Sequence, residues 1–432
     1  MAETLKILTK NMGAANSTSL DAYMASGGYE TLIDTLHKKS PDQVLEEVKK
    51  ADLKGRGGAG FPAGIKWSFL PKGKERVKYL VCNADESEPG TFKDRLLMEN
   101  DPHQILEGII LAGFATQAAG CFIYIRGEMY HVHKTLARAI EQAYAKGFLG
   151  ENILGSGMDF HIWLARGAGA YICGEETALM ESLEGKRGQP RLKPPFPAGY
   201  GVYGQPSNIN NVETYANVPH IVKNGADWYK TIGSENTPGP RLFGISGHVK
   251  RPGVYELPAG IPLRELIYDH AGGILGDRPL KAVIPGGSSV PVLRADQIDV
   301  PMDLEGLKAE GSMLGSAGVI VMNDSVCMVR ALKNLMEFYS HESCGQCTPC
   351  REGTHWLKLI VSRIEAGEGR DGDCDLILDV ADNISFKTIC PLGDAAAMPA
   401  TSFVKQFRDE FEAHIREHRC TVPASRQTTA IG

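Results

Sequence analysis

The chain has 432 residues, 43% of them hydrophobic and 23% charged, which allows several folded domains and excludes a disordered or fibrous protein. Its 46 basic and 52 acidic residues give a formal net charge of −6, which excludes a broad cationic surface for nucleic acid or an anionic membrane. The sequence has neither a run of 18 apolar residues nor an apolar signal core near its start, so we expect a cytoplasmic protein without inserted membrane segments.

The first half of the sequence alternates between helical and strand patterns. Apolar residues at three- and four-residue spacing predict helix within 19–54, so the region 1–54 is expected to be a helical lead-in. Further elements follow, with strands predicted at 77–82, 121–126 and 160–165 and helices at 102–116, 129–146 and 177–183. The alternation predicts an α/β layer at 55–240, in which sites lie beyond the ends of strands. The proline-rich stretch 189–206 is expected to be irregular and to lie across a surface or pocket.

The second half changes character twice. From 241 to 325, short apolar segments are separated by glycine and proline, which predicts a small β-rich domain containing one short helix. From 326 to 423, helical patterns return at 326–340, 354–366, 374–384 and 401–418. Four helices predict a C-terminal bundle. The last residues, 424–432, are expected to form a loose tail.

The cysteines carry the strongest chemical signal. Cys344, Cys347 and Cys350 lie at three-residue spacing, and Cys390 follows later, directly before a proline. Three cysteines in one tight loop and a fourth from elsewhere suit a cubane iron–sulfur cluster. Structural zinc remains the alternative, although zinc sites commonly pair two C-x-x-C motifs, and a disulfide framework does not suit a cytosolic chain. The remaining cysteines are interpreted as packing or surface residues: Cys82, Cys121, Cys173, Cys327, Cys374 and Cys420. For Cys173 a role in the glycine-rich loop around it stays open.

Two glycine-rich loops are candidate nucleotide sites. The first, 55–60, formally matches G-x-G-x-x-G but follows a helical pattern, so a mere flexible turn is the alternative. Aromatic rings and Lys66 follow it at once, which favours stacking on a nucleotide. The second, 167–174, joins a strand to a helix start, where free N–H groups favour phosphate. Glu175 and Glu176 would repel a phosphate, so they are expected to cap the helix or bind hydroxyls.

Polar residues elsewhere are ambiguous. Asp85, Glu86 and Glu88 follow a predicted strand, so they can accept hydrogen bonds from ribose hydroxyls or a carboxamide, although a solvated turn is the usual interpretation of such a run. Asn210 and Asn211 are turn residues by default and cofactor contacts if they face the same pocket.

These motifs together resemble those of the flavoprotein subunit of proton-pumping NADH:quinone oxidoreductase, over about residues 20–420. The resemblance rests on the segments 55–67, 82–90, 167–177 and 342–351. It implies a Rossmann-like FMN domain, a ubiquitin-like β-grasp domain and a four-helix bundle carrying a [4Fe–4S] cluster. It also implies partner subunits, especially a small thioredoxin-like [2Fe–2S] subunit and a larger iron–sulfur subunit, and a peripheral position on the cytoplasmic side of the inner membrane.

The resemblance further implies roles for individual residues. FMN would be held by Arg56, Gly57, Gly58, Lys66, Asn83, Asp85, Tyr171, Gly174, Glu175, Asn210, Asn211 and Thr214. NADH would contact Phe61, Phe69, Glu86, Glu88, Glu176, Lys193 and Phe196, with the adenine between the three rings. Glu88 would only orient the substrate, because hydride transfer and the splitting of the electron pair belong to the cofactors.

Three alternatives stay open at this point. The chain could be the diaphorase subunit of an NAD-linked hydrogenase or formate dehydrogenase, although the ferredoxin-like cysteine clusters common there are missing from the sequence. It could be an inactive iron–sulfur scaffold, against which the intact glycine loops argue, or a zinc-bearing binding module. Acids near the expected ribose favour NAD over NADP, because they would repel a 2′-phosphate.

Overall fold

The computed structural model describes residues 5–73 and 75–422. The predicted tail at 424–432 lies outside the described residues. Within the described part, no helix is both long and apolar enough to cross a membrane.

The N-terminal region begins with three short helices, where the sequence pattern predicts one helical segment. In chain order, the elements up to residue 238 are α1 Leu20–Ala25, α2 Glu30–Lys38, α3 Pro41–Lys50, α4 Ala63–Ser68, β1 Tyr79–Ala84, α5 Lys93–Asn100, α6 Pro102–Thr116, β2 Gly120–Ile125, α7 Tyr130–Ala145, β3 His161–Arg166, α8 Glu176–Leu183, β4 Ser207–Asn211, α9 Val212–Asn224, α10 Ala226–Lys230, β5 Gly233–Ser234 and β6 Thr237–Pro238. Strands β5 and β6 pair with each other as a separate two-stranded sheet. The strands and helices predicted for the α/β layer are confirmed to within two residues.

The first sheet is fully parallel and has the order β3-β2-β1-β4. The central strand β1 is mostly buried, as expected for a parallel strand with neighbours on both sides and helices on the faces. Strand β4 escapes prediction because Ser207, Asn208, Asn210 and Asn211 have low strand propensity. It is nevertheless almost entirely buried beside β1, so tertiary packing overrides local preference.

The second region folds around a five-stranded sheet of order β10-β9-β11-β7-β8, in which only β11 and β7 are parallel. Its elements are β7 Pro240–Gly247, β8 Gly253–Pro258, α11 Leu263–Glu265 with a following π turn Leu266–His270, β9 Leu280–Ile284, β10 Leu293–Arg294, α12 Leu304–Ala309 and β11 Gly318–Asn323. A separate apolar core lies under this sheet, containing Phe243, Leu266 and Val319.

The third region is helical. It contains α13 Met328–Glu342, α14 Thr348–Glu365, α15 Asp373–Ile384, α16 Leu392–Gln406 and α17 Arg408–Glu417. The single helix predicted at 401–418 is wrong, because the chain leaves helical geometry at Phe407 and starts again. Helix α14 begins six residues before the predicted start, at a threonine followed by proline, a residue favoured in the first helical turn. Cys350 therefore lies in its first turns rather than in a loop.

Candidate active site

A cavity of about 380 Å³ lies at the carboxyl edge of the parallel sheet. The loops after β1, before α8 and at the end of β4 all line this cavity. Strands β2 and β3 lie on one side of β1 and β4 lies on the other, so the cavity is at the point where the strand order of the sheet reverses. The second and third regions complete its wall through the loop 286–290 and the start of α16. One pocket is thus built from all three regions, which no single motif in the sequence specifies.

The first glycine loop is held in place by hydrogen bonds to Arg56. Thr214 accepts a hydrogen bond from the backbone N–H of Arg56 at 2.9 Å. The Arg56 guanidinium is fully buried and donates to Tyr229 and to the carbonyl oxygens of Lys54, Pro238 and Pro240. Any contact that Arg56 makes with a ligand therefore uses its backbone. The loop is more than a flexible turn.

The two adjoining glycines present a bare backbone to the cavity. A Cβ on Gly57 would lie 3.3 Å from the Cβ of Asn211, and Gly58 has φ +133°, a value that side chains disfavour. A methyl at Gly58 would meet no atom within 4 Å, so this glycine faces open space. A flat or phosphate-bearing ligand can approach such a backbone closely.

The second glycine loop ends in a capped helix. The Glu175 carboxylate accepts the N–H groups of Thr177 and Ala178 at 2.8 and 2.9 Å, so it caps α8 while lining the cavity. Asn83 donates to the carbonyl oxygen of Gly174 at 2.8 Å and joins this loop to the end of β1. Glu175 is expected from the sequence either to cap the helix or to bind hydroxyls, and in the structure it caps the helix.

The acidic loop after β1 is not a solvated turn, because its carboxylates have protein partners. Burial raises the pKa of Asp85 to about 7, and Ser87 donates to it at 2.7 Å. Burial also raises the pKa of Glu86 to about 7, and its two oxygens accept backbone N–H groups at the start of α5. Glu88 accepts the Tyr171 hydroxyl at 2.6 Å and the Ser289 N–H at 2.8 Å. Glu86 thus caps a helix, whereas Glu88 joins two regions across the cavity.

A buried charge cluster forms the floor of the cavity. Lys93, which is 1% exposed, lies 2.7 Å from Glu213 and 2.8 Å from Asp94 and donates to Asn211 at 3.2 Å. Its ammonium is held charged, since these carboxylates outweigh burial and raise its pKa. Lys93 and Asp94 both line the cavity, and neither is among the residues predicted from the sequence. Their segment has no apolar periodicity. In the sequence, the one feature that could have indicated a role for them is that a charged pair follows the acidic loop.

A second group of predicted residues lies outside the cavity lining. Lys66 and Lys193 both contact Glu176, at 3.0 and 2.6 Å. Burial opposes the charge of Glu176, but the two lysines outweigh it and lower its pKa. Phe61 and Phe69 lie nearby in sequence with ring centroids 6.0 Å apart, and both rings are about half exposed, as is Phe196. The three exposed rings leave aromatic surface on which a nucleotide base could stack.

Asn210 and Thr214 also lie outside the residues that line the cavity. The Asn210 side chain donates to Asn208 at 2.7 Å and lies near Tyr215, within the protein interior. Thr214 acts on the glycine loop through the backbone of Arg56, as described above. Direct contacts of either residue with FMN stay predictions.

The four predicted cluster cysteines meet beneath this cavity. Cys344 and Cys347 precede α14, Cys350 lies within it, and Cys390 directly precedes Pro391, which lines the cavity. All four pack into one cluster of side chains with Ile172 and Leu392. Burial raises the pKa of Cys350 to about 11 and that of Cys390 to about 12.

The arrangement of these cysteines, three in one short segment and a fourth from elsewhere, suits a cubane cluster. In residues 5–73 and 75–422, one group of three or more His, Cys, Asp or Glu side chains has all its ligand atoms within 4.8 Å of one another, and none of these four cysteines belongs to it. A tetrahedral zinc would hold its sulfurs about 3.8 Å apart. A cubane instead separates its thiolates onto four iron corners.

Known families match each region of the chain. Residues 48–220 match the Nuo51 FMN-binding domain, 241–321 the SLBB domain, and 330–414 the NADH-ubiquinone oxidoreductase-F iron-sulfur binding region. The second F subunit of NADH-quinone oxidoreductase in Rhizobium meliloti (strain 1021) is 54% identical over 96% of this chain and 98% of its own. The corresponding F subunit in Streptomyces coelicolor is 51% identical over 95% of this chain and 91% of its own.

The chain belongs to the family of NADH-quinone oxidoreductase F subunits. The predicted fold, with an FMN domain, a β-grasp-like domain and an iron–sulfur helical region, is therefore confirmed, as are FMN and a [4Fe–4S] cluster as cofactors. The zinc alternative at the four cysteines is not supported.

A solved hydrogenase structure is also similar to this family member. The NAD+-reducing [NiFe]-hydrogenase in its H2-reduced state contains a chain with a TM-score of 0.83 and 36% identity, covering 92% of this chain. This chain spans 66% of that longer one. The hydrogenase shares the fold, but the two bacterial F subunits match at higher identity and along nearly their full length, so the hydrogenase alternative is not favoured.

Proposed function

We propose that this chain is the flavin-dependent NADH dehydrogenase subunit that feeds electrons into a quinone-reducing respiratory complex. FMN, when bound, accepts a hydride from NADH and releases the two electrons one at a time to the [4Fe–4S] cluster. The observation that carries the proposal is the shared cavity: both glycine loops and the residue next to Cys390 line it. A flavin there would lie between its donor and its acceptor.

The chain's own residues would position and shield the cofactors. Gly57 and Gly58 would lie against the flavin, Lys93 would supply a fixed positive charge, and Asn83 would hold the two loops together. NADH would stack over the flavin with its adenine against the exposed rings, while Glu176 and Lys193 would contact ribose or carboxamide groups. No side chain needs to act as general acid or base, because the transferred species is a hydride.

The proposal is tested by the visible spectrum of anaerobically purified protein before and after NADH is added. Flavin bands and a broad iron–sulfur shoulder that both bleach on addition of NADH would support it. A coloured protein that NADH leaves unchanged would overturn it in favour of an inactive scaffold.

The partners and the location are part of the same proposal. A small thioredoxin-like [2Fe–2S] subunit and a larger iron–sulfur subunit would flank this chain at the cytoplasmic side of the inner membrane. Phe386, 93% exposed and four residues before Cys390, supports a docking face next to the cluster. The domain limits at 55, 241 and 326 also remain proposals.

We expect Glu88→Ala to raise the KM for NADH about tenfold while FMN stays bound. Without the Glu88 carboxylate, Tyr171 and Ser289 lose the hydrogen bonds that hold them in the cavity wall. A tenfold change in KM corresponds to about 1.4 kcal/mol of NADH binding energy. The KM is measured from steady-state rates with ferricyanide as acceptor. The FMN content is measured from flavin fluorescence after denaturation. The exposed Glu151→Ala is the control. An unchanged KM and turnover would contradict the orienting role.

A further inference from the structure

A second group of metal-ligating side chains lies in the helical region, apart from the four cluster cysteines. Cys327, His414 and Cys420 bring their ligand atoms within 4.8 Å of one another. Cys327 caps the start of α13, His414 lies on α17, and Cys420 follows the end of that helix. Packing or surface roles are predicted for both cysteines from the sequence. Cys327 and His414 are 87 positions apart, so their proximity is not visible in the sequence.

The histidine is oriented as a metal ligand. Its Nδ1 lies 2.8 Å from the carbonyl oxygen of Glu410, and a carbonyl can only accept, so Nδ1 carries the proton. In the neutral ring, Nε2 therefore keeps its lone pair, and it points at the Cys327 sulfur from 3.2 Å. A backbone carbonyl that fixes the far nitrogen in this way is the usual outer contact of a metal-bound histidine. His414 is fully buried, which keeps this orientation in place.

The first cysteine has neighbours that would stabilise its thiolate once a cation replaces the thiol proton. The Cys327 sulfur accepts the backbone N–H of Arg330 at 3.4 Å, and it lies at the positive end of a 15-residue helix. Cys327 is 5% exposed and Cys420 is partly exposed, so an ion could enter from the side of Cys420. The nearby Glu410 carboxylate is engaged by the Met328 N–H at 2.9 Å and by Lys281 at 2.6 Å.

We propose that Cys327, His414 and Cys420 bind one Zn²⁺ ion that joins α13, α17 and the segment after α17. Two thiolates and one imidazole are a typical zinc donor set, and water would occupy the fourth position. Binding releases the two thiol protons to solvent, so the ion and its two thiolates are neutral together and can be buried without an unpaired charge. Tetrahedral zinc separates such ligand atoms by about 3.5–3.8 Å. The Cys327 sulfur and the His414 Nε2, now 3.2 Å apart, would have to separate slightly, and the other two pairs already lie within 4.8 Å.

The site would tie the segment after α17 to the bundle. Zinc would join the start of α13 to α17 and to Cys420 beyond it, and these two helices are already in contact. The ion would lie away from the flavin cavity, since none of its three ligands lines that cavity. We therefore assign the ion a role in holding the bundle that carries the cluster, and no role in electron transfer.

The test uses the full chain with FMN and cluster, incubated with an equivalent of Zn²⁺ and freed of excess metal by gel filtration. Zinc and iron are counted by mass spectrometry, and X-ray absorption at the zinc edge, which flavin and iron do not obscure, gives the ligand shell. We expect about one zinc per chain, with two sulfurs at about 2.3 Å and one nitrogen at about 2.0 Å. Cys420→Ser and His414→Ala should each lower bound zinc about tenfold with the iron content unchanged. Cys374→Ser, which alters another buried thiol, should change neither.

Three results would overturn the proposal. The first is wild-type protein that retains no more zinc than Cys420→Ser. The second is a zinc shell of four sulfurs, which would place the ion at the cluster cysteines. The third is a disulfide between Cys327 and Cys420, found by peptide mapping. Because Cys420 is partly exposed, its serine variant is expected to fold even if His414→Ala does not. The flavin and iron contents report separately whether the proposed dehydrogenase function fails.

Discussion

Replacing Cys390 by alanine is expected to remove the cluster and stop electron flow beyond FMN, while NADH still reduces the flavin. Cys390 is the one predicted cluster ligand that comes from outside the segment containing Cys344, Cys347 and Cys350, so without it one iron corner would lose its thiolate. The flavin loops belong to another region and keep their hydrogen bonds. Iron content should fall from about four per chain. Quinone reduction by the assembled complex should fall more than about a hundredfold, equivalent to about 2.7 kcal/mol in the barrier.

Stopped-flow absorbance separates the two steps of this prediction. Flavin bleaching by NADH should persist in Cys390→Ala, and the iron–sulfur shoulder should be absent. Cys374→Ala is the matched control, because it removes a buried thiol from the same helical region without touching the cluster. If Cys390→Ala kept its iron and its quinone reductase rate, Cys390 would not be a cluster ligand.

Glu213→Gln is expected to destabilise the protein by about 3–5 kcal/mol, because it removes the charge that balances several buried cations. Glu213 is fully buried, lies 2.7 Å from Lys93 and 3.7 Å from Arg56, and accepts the N–H of Leu242 at 3.0 Å. A glutamine can still accept that N–H group but carries no charge. The loss should affect both the flavin cavity and the contact between α9 and β7.

The pH dependence gives this prediction a definite sign. Burial opposes ionisation of Glu213, but Lys93, Arg56 and Arg241 outweigh it and hold its pKa below the ordinary value of 4.5. A lowered pKa contributes stability above that value and loses it as the pH falls through the folded-state pKa. The difference between wild type and Glu213→Gln should therefore be constant from neutral pH to about pH 5 and shrink only at lower pH.

Thermal unfolding followed by calorimetry and by flavin release measures this difference. Glu141→Gln, on an exposed position of α7, is the control and should change stability by less than about 0.5 kcal/mol. Equal unfolding temperatures for the wild type and Glu213→Gln at pH 7 would show that the buried cations are balanced without Glu213.

Features that depend on neighbouring residues could be predicted from the order of amino acids. Helix α6 has the predicted bounds because its apolar residues and its proline start are local signals. The four cysteines are predicted as cluster ligands because three corners of a cubane need one short segment, whose spacing is visible in the sequence. The glycine loops and the acids after β1 are visible for the same reason.

The choice of which residues face the cavity, in contrast, depends on packing between distant segments. Glu86 and Glu88 differ by two positions, yet one caps a helix and the other joins two regions, because their partners come from different parts of the fold. Lys93 and Glu213 meet across 120 residues, and Cys327 meets His414 across 87. Such contacts arise when separate elements pack together, and no local pattern of hydrophobicity or spacing encodes them.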